Sequence, residues 1–88
     1  MVSNLILVHP KDNVAIALNH IVKGEKGVLS DGCTVTAKTD IPVSHKILLA
    51  DLSRGDDIIK YGEIIGQATL GLEKGEWIHT HNLDIIEE

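Results

Sequence analysis

Residues 76 to 82 read EWIHTHN. His79 and His81 stand two positions apart beside Trp77, the chain's single tryptophan, and Asn82 follows. In a strand, side chains at i and i+2 share a face. Two imidazoles so placed can share one metal ion or one substrate carboxylate. A neutral ring nitrogen ligates iron or manganese, and an unperturbed imidazole titrates near working pH. The plain alternative is a strand that carries both histidines on its solvated face while Ile78 points inward. An isolated pair lacks the ligand count a metal site needs. Asn82 suits a hydrogen bond to a hydroxyl as well as it suits a cap for the following turn.

His45 and Lys46 form a second cluster, just after Pro42. Adjacent residues of a strand point to opposite faces, so these two are not expected to act as a pair. His45 falls at a loop entry, where functional residues concentrate. Lys46 can neutralise a carboxylate or stand solvated. Asp12 and Asn13 can contact a substrate or metal, but Asp12 also stands where a helix N-cap belongs. Tyr61 is expected as a core ring with its hydroxyl at the edge. Cys33 has no activating basic neighbour and reads as a small core residue. His9 and His20 belong to no motif and read as structural or surface residues.

The elements that must position these groups are short. NLILVH (4–9) reads as a first strand ahead of Pro10. Val14, Ala15, Ala17, Leu18 and Ile21 then follow at helical spacing, from Asp12 to Gly24. This predicts one helix over residues 13 to 21. CTVTA (33–37), KILLADL (46–52), DIIKYG (57–62), EIIGQATL (63–70) and EWIH (76–79) read as strands separated by glycine turns. The tail NLDIIEE is a closing strand or a docking arm. No linker, low-complexity tract or internal repeat is apparent. The expectation is a single domain over residues 1 to 88: a mainly β body of short twisted strands with one N-terminal helix.

Composition narrows the partners. The chain has 88 residues, 43% of them apolar, and no phenylalanine. Aliphatic side chains must fill the core, with Trp77 and Tyr61 as its large rings. So small a body leaves little wall for a deep pocket of about 300–1,000 Å³. A net charge of −5 argues against nucleic acid and anionic membranes as partners. No apolar run approaches the roughly 18 residues of a membrane span. The start, MVSNLILVHP, lacks a basic n-region. One cysteine cannot form an internal disulfide, and cytoplasm is the expected location. Exposed sheet edges in so small a body would favour self-association or a partner.

Four patterns stand in order along the chain: DNVAIAL (12–18), IPVSHKILLADL (41–52), IIKYGEIIGQAT (58–69) and GEWIHTHN (75–82). Together they resemble the small subunit, or N-terminal SAF domain, of the altronate and galactarate dehydratases. The resemblance implies a small β-clip fold. It implies a two-part hydro-lyase in which a large catalytic subunit carries most of the framework and this domain completes the active site. The implied reaction removes water from a sugar acid to give a 2-keto-3-deoxy acid, with a divalent metal, Fe2+ or Mn2+. It assigns His45, His79 and His81 to catalysis, His79 and His81 to the metal, and Lys46, Asn82, Asp12 and Asn13 to the substrate. A relative with the same pattern is the small subunit of (2R)-sulfolactate sulfo-lyase, which gives an alternative. A non-catalytic β-clip binding module is a third reading. One departure is Ser44, where the family often has glycine before the His-Lys pair. Serine takes a positive φ less cheaply than glycine, so the turn into His45 is expected to differ.

Overall fold

The computed structural model describes residues 3–78 and the backbone of residues 83–85. Every regular element among them is a strand: β1 (Leu5–Ile6), β2 (Val14–Ala17), β3 (Lys26–Val28), β4 (Thr34–Thr36), β5 (Lys46–Leu48), β6 (Asp57–Lys60), β7 (Glu63–Ala68), β8 (Trp77–Ile78) and β9 (Leu83–Ile85). The mainly β body matches expectation. No helix among the described residues is long and apolar enough to cross a membrane.

Strands β1, β2, β5 and β8 form one antiparallel sheet in the order β1-β2-β5-β8. Its two faces serve different cores. Ala15, Ala17 and Ile47 join Val35 and Ala37 from the β3–β4 region on one side. Val14, Leu48 and Ile78 join Ile58 and Ala68 from the β6–β7 hairpin on the other. Ile47 and Ile78 are fully buried. Burying side chains of this size stabilises by roughly 1.5–3 kcal/mol each.

This layout explains why the helix expected over residues 13 to 21 is absent. β2 is an inner strand with both faces covered, so VAIA is apolar at every position. A strand buried on both faces loses its period-2 alternation, and a short continuous apolar run fits helix spacing equally well. Asp12 is accordingly no helix cap. Its carboxylate accepts the backbone N–H of His9 at 3.2 Å and that of Gly62 at 2.7 Å. It ties the turn before β2 to the β6–β7 hairpin.

Two further expectations change. Tyr61 is not a core ring: it is 54% exposed, and the Lys60 ammonium lies 4.6 Å from its ring centroid. Cys33 is exposed rather than buried. A hydrogen bond to Asp31 raises its thiol above the ordinary range, which disfavours the reactive thiolate. The cores are aliphatic, and Trp77 packs against one of them only in part.

The structure also contains a repeat that was not apparent in the sequence. Ile21, Ile41, Leu52 and Leu72 each open the same turn and bridge in pairs, Ile21 with Ile41 and Leu52 with Leu72. Three residues on, Gly24, Ser44, Gly55 and Gly75 have φ of 90°, 67°, 89° and 98°. Their N–H groups donate to the carbonyls of Ala37, Ala17, Ala68 and Leu48. The next residue, Glu25, His45, Asp56 or Glu76, accepts at its own carbonyl the N–H of that same partner. The repeat was missed because it conserves only residue types over a few positions.

Candidate functional site

One of the four turns departs from the others. In three of them the acidic fifth residue caps its own turn. Glu25 accepts the N–H of Val22 at 2.8 Å, Asp56 accepts that of Ser53 at 2.8 Å, and Glu76 accepts that of Glu73. In the fourth, the donor position is Pro42, which has no N–H, and the fifth residue is His45. The backbone of the turn is kept: the His45 N–H donates to the Pro42 carbonyl at 3.1 Å. Ser44 holds the glycine conformation that the turn requires. The difference expected at Ser44 therefore appears as an uncommon backbone conformation for serine, not as a different turn.

The side chain of His45 meets Trp77. Strands β5 and β8 pair antiparallel with Ile47 opposite Trp77. His45, two residues before Ile47, is thus a diagonal neighbour of Trp77 on the same face, within reach of a large ring. The rings lie edge to face, 5.3 Å apart at 78°. The indole Nε1–H donates to His45 Nδ1 at 3.1 Å. Both residues are half-buried. The Trp77 backbone N–H is in turn held by Thr39 Oγ1.

Lys46 follows His45 but faces the other side of the sheet, in register with Ile16 and Ile78. Burial pushes its ammonium below the usual lysine range, and the nearby charge of Lys60 adds to the effect. Asp12 and Asn13 serve the scaffold. For Asp12, burial alone raises the carboxyl, but the N–H donors of Gly62, Tyr61 and His9 outweigh it and hold it below its ordinary value. Asn13 Oδ1 accepts the N–H of Ile59 at 2.8 Å, and its Nδ2 donates to the Asp57 carbonyl at 2.9 Å. This amide joins β2 to β6 where the backbone ladder would otherwise stop.

His79, His81 and Asn82 lie outside the described residues. Among the described residues, no three His, Cys, Asp or Glu side chains converge as a metal would require. A polar cleft of about 480 Å³ lies between Thr34, Thr36, Lys38, Asp51, Glu73 and Lys74. Lys38 pairs with Glu73 across it at 2.9 Å, and Asp51 accepts the backbone N–H of Lys74 at 2.8 Å. Sequence reasoning had assigned Trp77 only to the core and had given Pro42 no task. The signal was present: PVSH stands where the other turns read VKGE, SRGD and EKGE.

Residues 3–85 match the altronate/galactarate dehydratase SAF domain family. The chain is 42% identical over 79 residues to altronate dehydratase of Bacillus subtilis (strain 168), covering 90% of this chain and 16% of that protein. It is 40% identical over 77 residues to altronate dehydratase of Escherichia coli (strain K12), covering 88% and 15%. It is also 50% identical over 48 residues to (2R)-sulfolactate sulfo-lyase subunit alpha of Paracoccus pantotrophus, covering 54% of this chain and 72% of that subunit. The chain spans about a sixth of the length of the two dehydratases.

Proposed function

This chain belongs to the altronate/galactarate dehydratase SAF domain family, and on that premise we propose that it works with a larger catalytic portion in removing water from a sugar acid. The observation that carries a catalytic part for this domain is the turn at Pro42–His45. Three sister turns use their fifth side chain as a cap, whereas this one lacks the N–H to be capped and holds an imidazole against an indole.

Loss of water beside a carboxylate breaks the α C–H bond and the C–O bond of the neighbouring hydroxyl. The hydroxyl leaves as water, and the resulting enol becomes the keto acid. The intermediate is an enediolate, whose negative oxygens need hydrogen-bond donors or positive charge. His45 supplies such a group at the domain surface. The base for the α-proton, and any Fe2+ or Mn2+, belong in this reading to the larger portion or to a site that it completes with His79, His81 and Asn82. Lys46, on the opposite face, is outside the His45 site.

A second reading is the small subunit of a sulfolactate sulfo-lyase. It draws on the higher identity to subunit alpha, although over a shorter stretch. The two chemistries are analogous, since in each a group leaves the carbon next to the one that loses a proton. The deciding experiment combines the chain with a candidate larger portion and offers altronate, galactarate and sulfolactate. Keto-acid formation supports the dehydratase, and sulfite release supports the lyase. Equal turnover with and without the chain leaves it as a non-catalytic binding module.

A further inference from the structure

We propose that the surface around Ile6, Val8, Lys46, Lys60 and Tyr61 is where the larger catalytic portion docks, with a carboxylate of that portion set against the two ammoniums. The inference rests on the two-part reading above and adds the face and its chemistry.

The surface is continuous. Ile6 stands opposite Ile16, and Ile16 opposite Lys46. The three share the sheet face that carries Val14, Leu48 and Ile78. Cover thins along this face: Ile16 and Lys46 are half-buried, and Ile6 is exposed. Lys60 lies close enough to Lys46 for its charge to act there. The Lys60 ammonium sits over the Tyr61 ring. The His9 imidazole packs against the neighbouring Gly62, where a Cβ would come within 2.9 Å of it. Val8, exposed, precedes His9 and leads back to Ile6.

Charge and backbone point to the partner. Burial disfavours an ammonium that has no counter-charge. Among the described residues, neither Lys46 nor Lys60 forms an ion pair. Glu63 stands opposite Lys60 in the hairpin register, but the ammonium lies over the Tyr61 ring instead. Two adjacent cations without a partner are costly, and a carboxylate between them relieves both. Tyr61, at φ 57°, is the first central residue of a two-residue turn whose second, Gly62, is at 76°. Such turns favour asparagine, aspartate or glycine. Here the strained position carries a large exposed ring, a type enriched at interface cores.

A small acid would engage the ammoniums but leave Ile6 and Val8 bare. A second copy across a two-fold axis would set lysines against lysines. In the two dehydratases the matched region is about a sixth of the chain, so most of each protein stands outside it and has the surface to cover this face. The face is opposite the one that carries His45, so docking and chemistry can be separated by mutation.

The test measures association of the chain with the candidate larger portion of the reconstitution above, by titration calorimetry, and maps the contact by hydrogen exchange. Binding should weaken as salt rises, and amides of residues 5–8 and 60–62 should gain protection. Lys60→Glu should weaken binding about tenfold or more. Tyr61→Asn suits the turn better than tyrosine does, so it should fold at least as stably and still bind several-fold more weakly. It decides the matter should Lys60→Glu not fold. Full affinity in the folded variants, or protection confined to other surfaces, overturns the proposal. So does a saturable shift of the Lys46 and Lys60 signals by altronate alone, which would make this a small-acid site. A dimer of the isolated chain that Lys60→Glu dissociates also overturns it. Docking here with no effect of the chain on turnover rejects the catalytic reading alone. Chain-dependent turnover with full affinity in both variants rejects the docking face alone. No association rejects both.

Discussion

Ser44 sits at φ 67°, a conformation that three glycines adopt in the sister turns. A left-handed conformation costs a residue with a Cβ roughly 1–2 kcal/mol, while glycine adds unfolded-chain entropy of roughly 0.5–1 kcal/mol. Ser44→Gly should therefore raise stability by about 0.5–1 kcal/mol, read as a higher urea midpoint at unchanged slope. Gly75 has no such latitude. A Cβ there would stand 2.1 Å from the Thr36 carbonyl oxygen. Gly75→Ala should cost more than about 2 kcal/mol, because overpacking adds to backbone strain. Asp12 gives a pH prediction. Its folded carboxyl is held below the ordinary 3.8. Its contribution is therefore complete above that value and is lost as pH falls through the lower folded value. Asp12→Asn should flatten the fall in stability below about pH 4, as measured by urea unfolding at several pH values. It should also cost roughly 1–3 kcal/mol at neutral pH, because an amide cannot accept both N–H groups in the same geometry.

Each turn is a unit made of an apolar bridge, a left-handed fourth residue and a fifth residue that caps. The Pro42–His45 unit keeps the first two features and gives up the third. Restoring the cap tests whether that loss serves function. The double variant Pro42→Val, His45→Glu recreates the donor and acceptor found at Val22 and Glu25. It should match or exceed the parent in stability by about 0.5–1 kcal/mol, the usual net gain from one added hydrogen bond. Turnover of the reconstituted enzyme should fall. A stability gain with full turnover would show that His45 has no part in the chemistry. Sites that forgo local stability for a task are a recurrent trade in enzymes.

Among the described residues, the four-stranded sheet lies between two small aliphatic cores. Such a body positions a few surface groups well but has little volume to enclose a substrate. The purified 88-residue chain is therefore expected to be inactive on altronate, and keto-acid formation should appear only with the larger portion added. Robust turnover by the chain alone would reject the two-part reading. Exposed apolar residues support a need for cover: Ile6, Val8 and Ile64 are 43%, 51% and 50% accessible. Ile47→Ala, at the centre of the sheet, should cost about 2–5 kcal/mol, seen as a lower melting temperature of the isolated chain.

Strands whose sequence carries its own punctuation were legible. DIIKYG and EIIGQATL are bounded by glycines and form β6 and β7, because a turn residue acts on the chain locally. The family resemblance was legible for the same reason, since it rests on short ordered motifs. VAIA was misread because its apolar run reflects cover from both sides of the sheet, and that cover comes from residues far along the chain. From sequence, Asp12 and Asn13 suited a ligand contact, and Asp12 a helix cap, because a carboxylate or an amide does not show its hydrogen-bond partner in the sequence. Only the folded chain brings Gly62, Asp57 and Ile59 to them. His45 was chosen from sequence, but its partner was not. Trp77 lies 32 residues away, and the antiparallel pairing of β5 with β8 alone sets the indole N–H against Nδ1. Residue type determines which hydrogen bonds a side chain can make; tertiary structure decides which one it makes, because the donor must arrive from another strand.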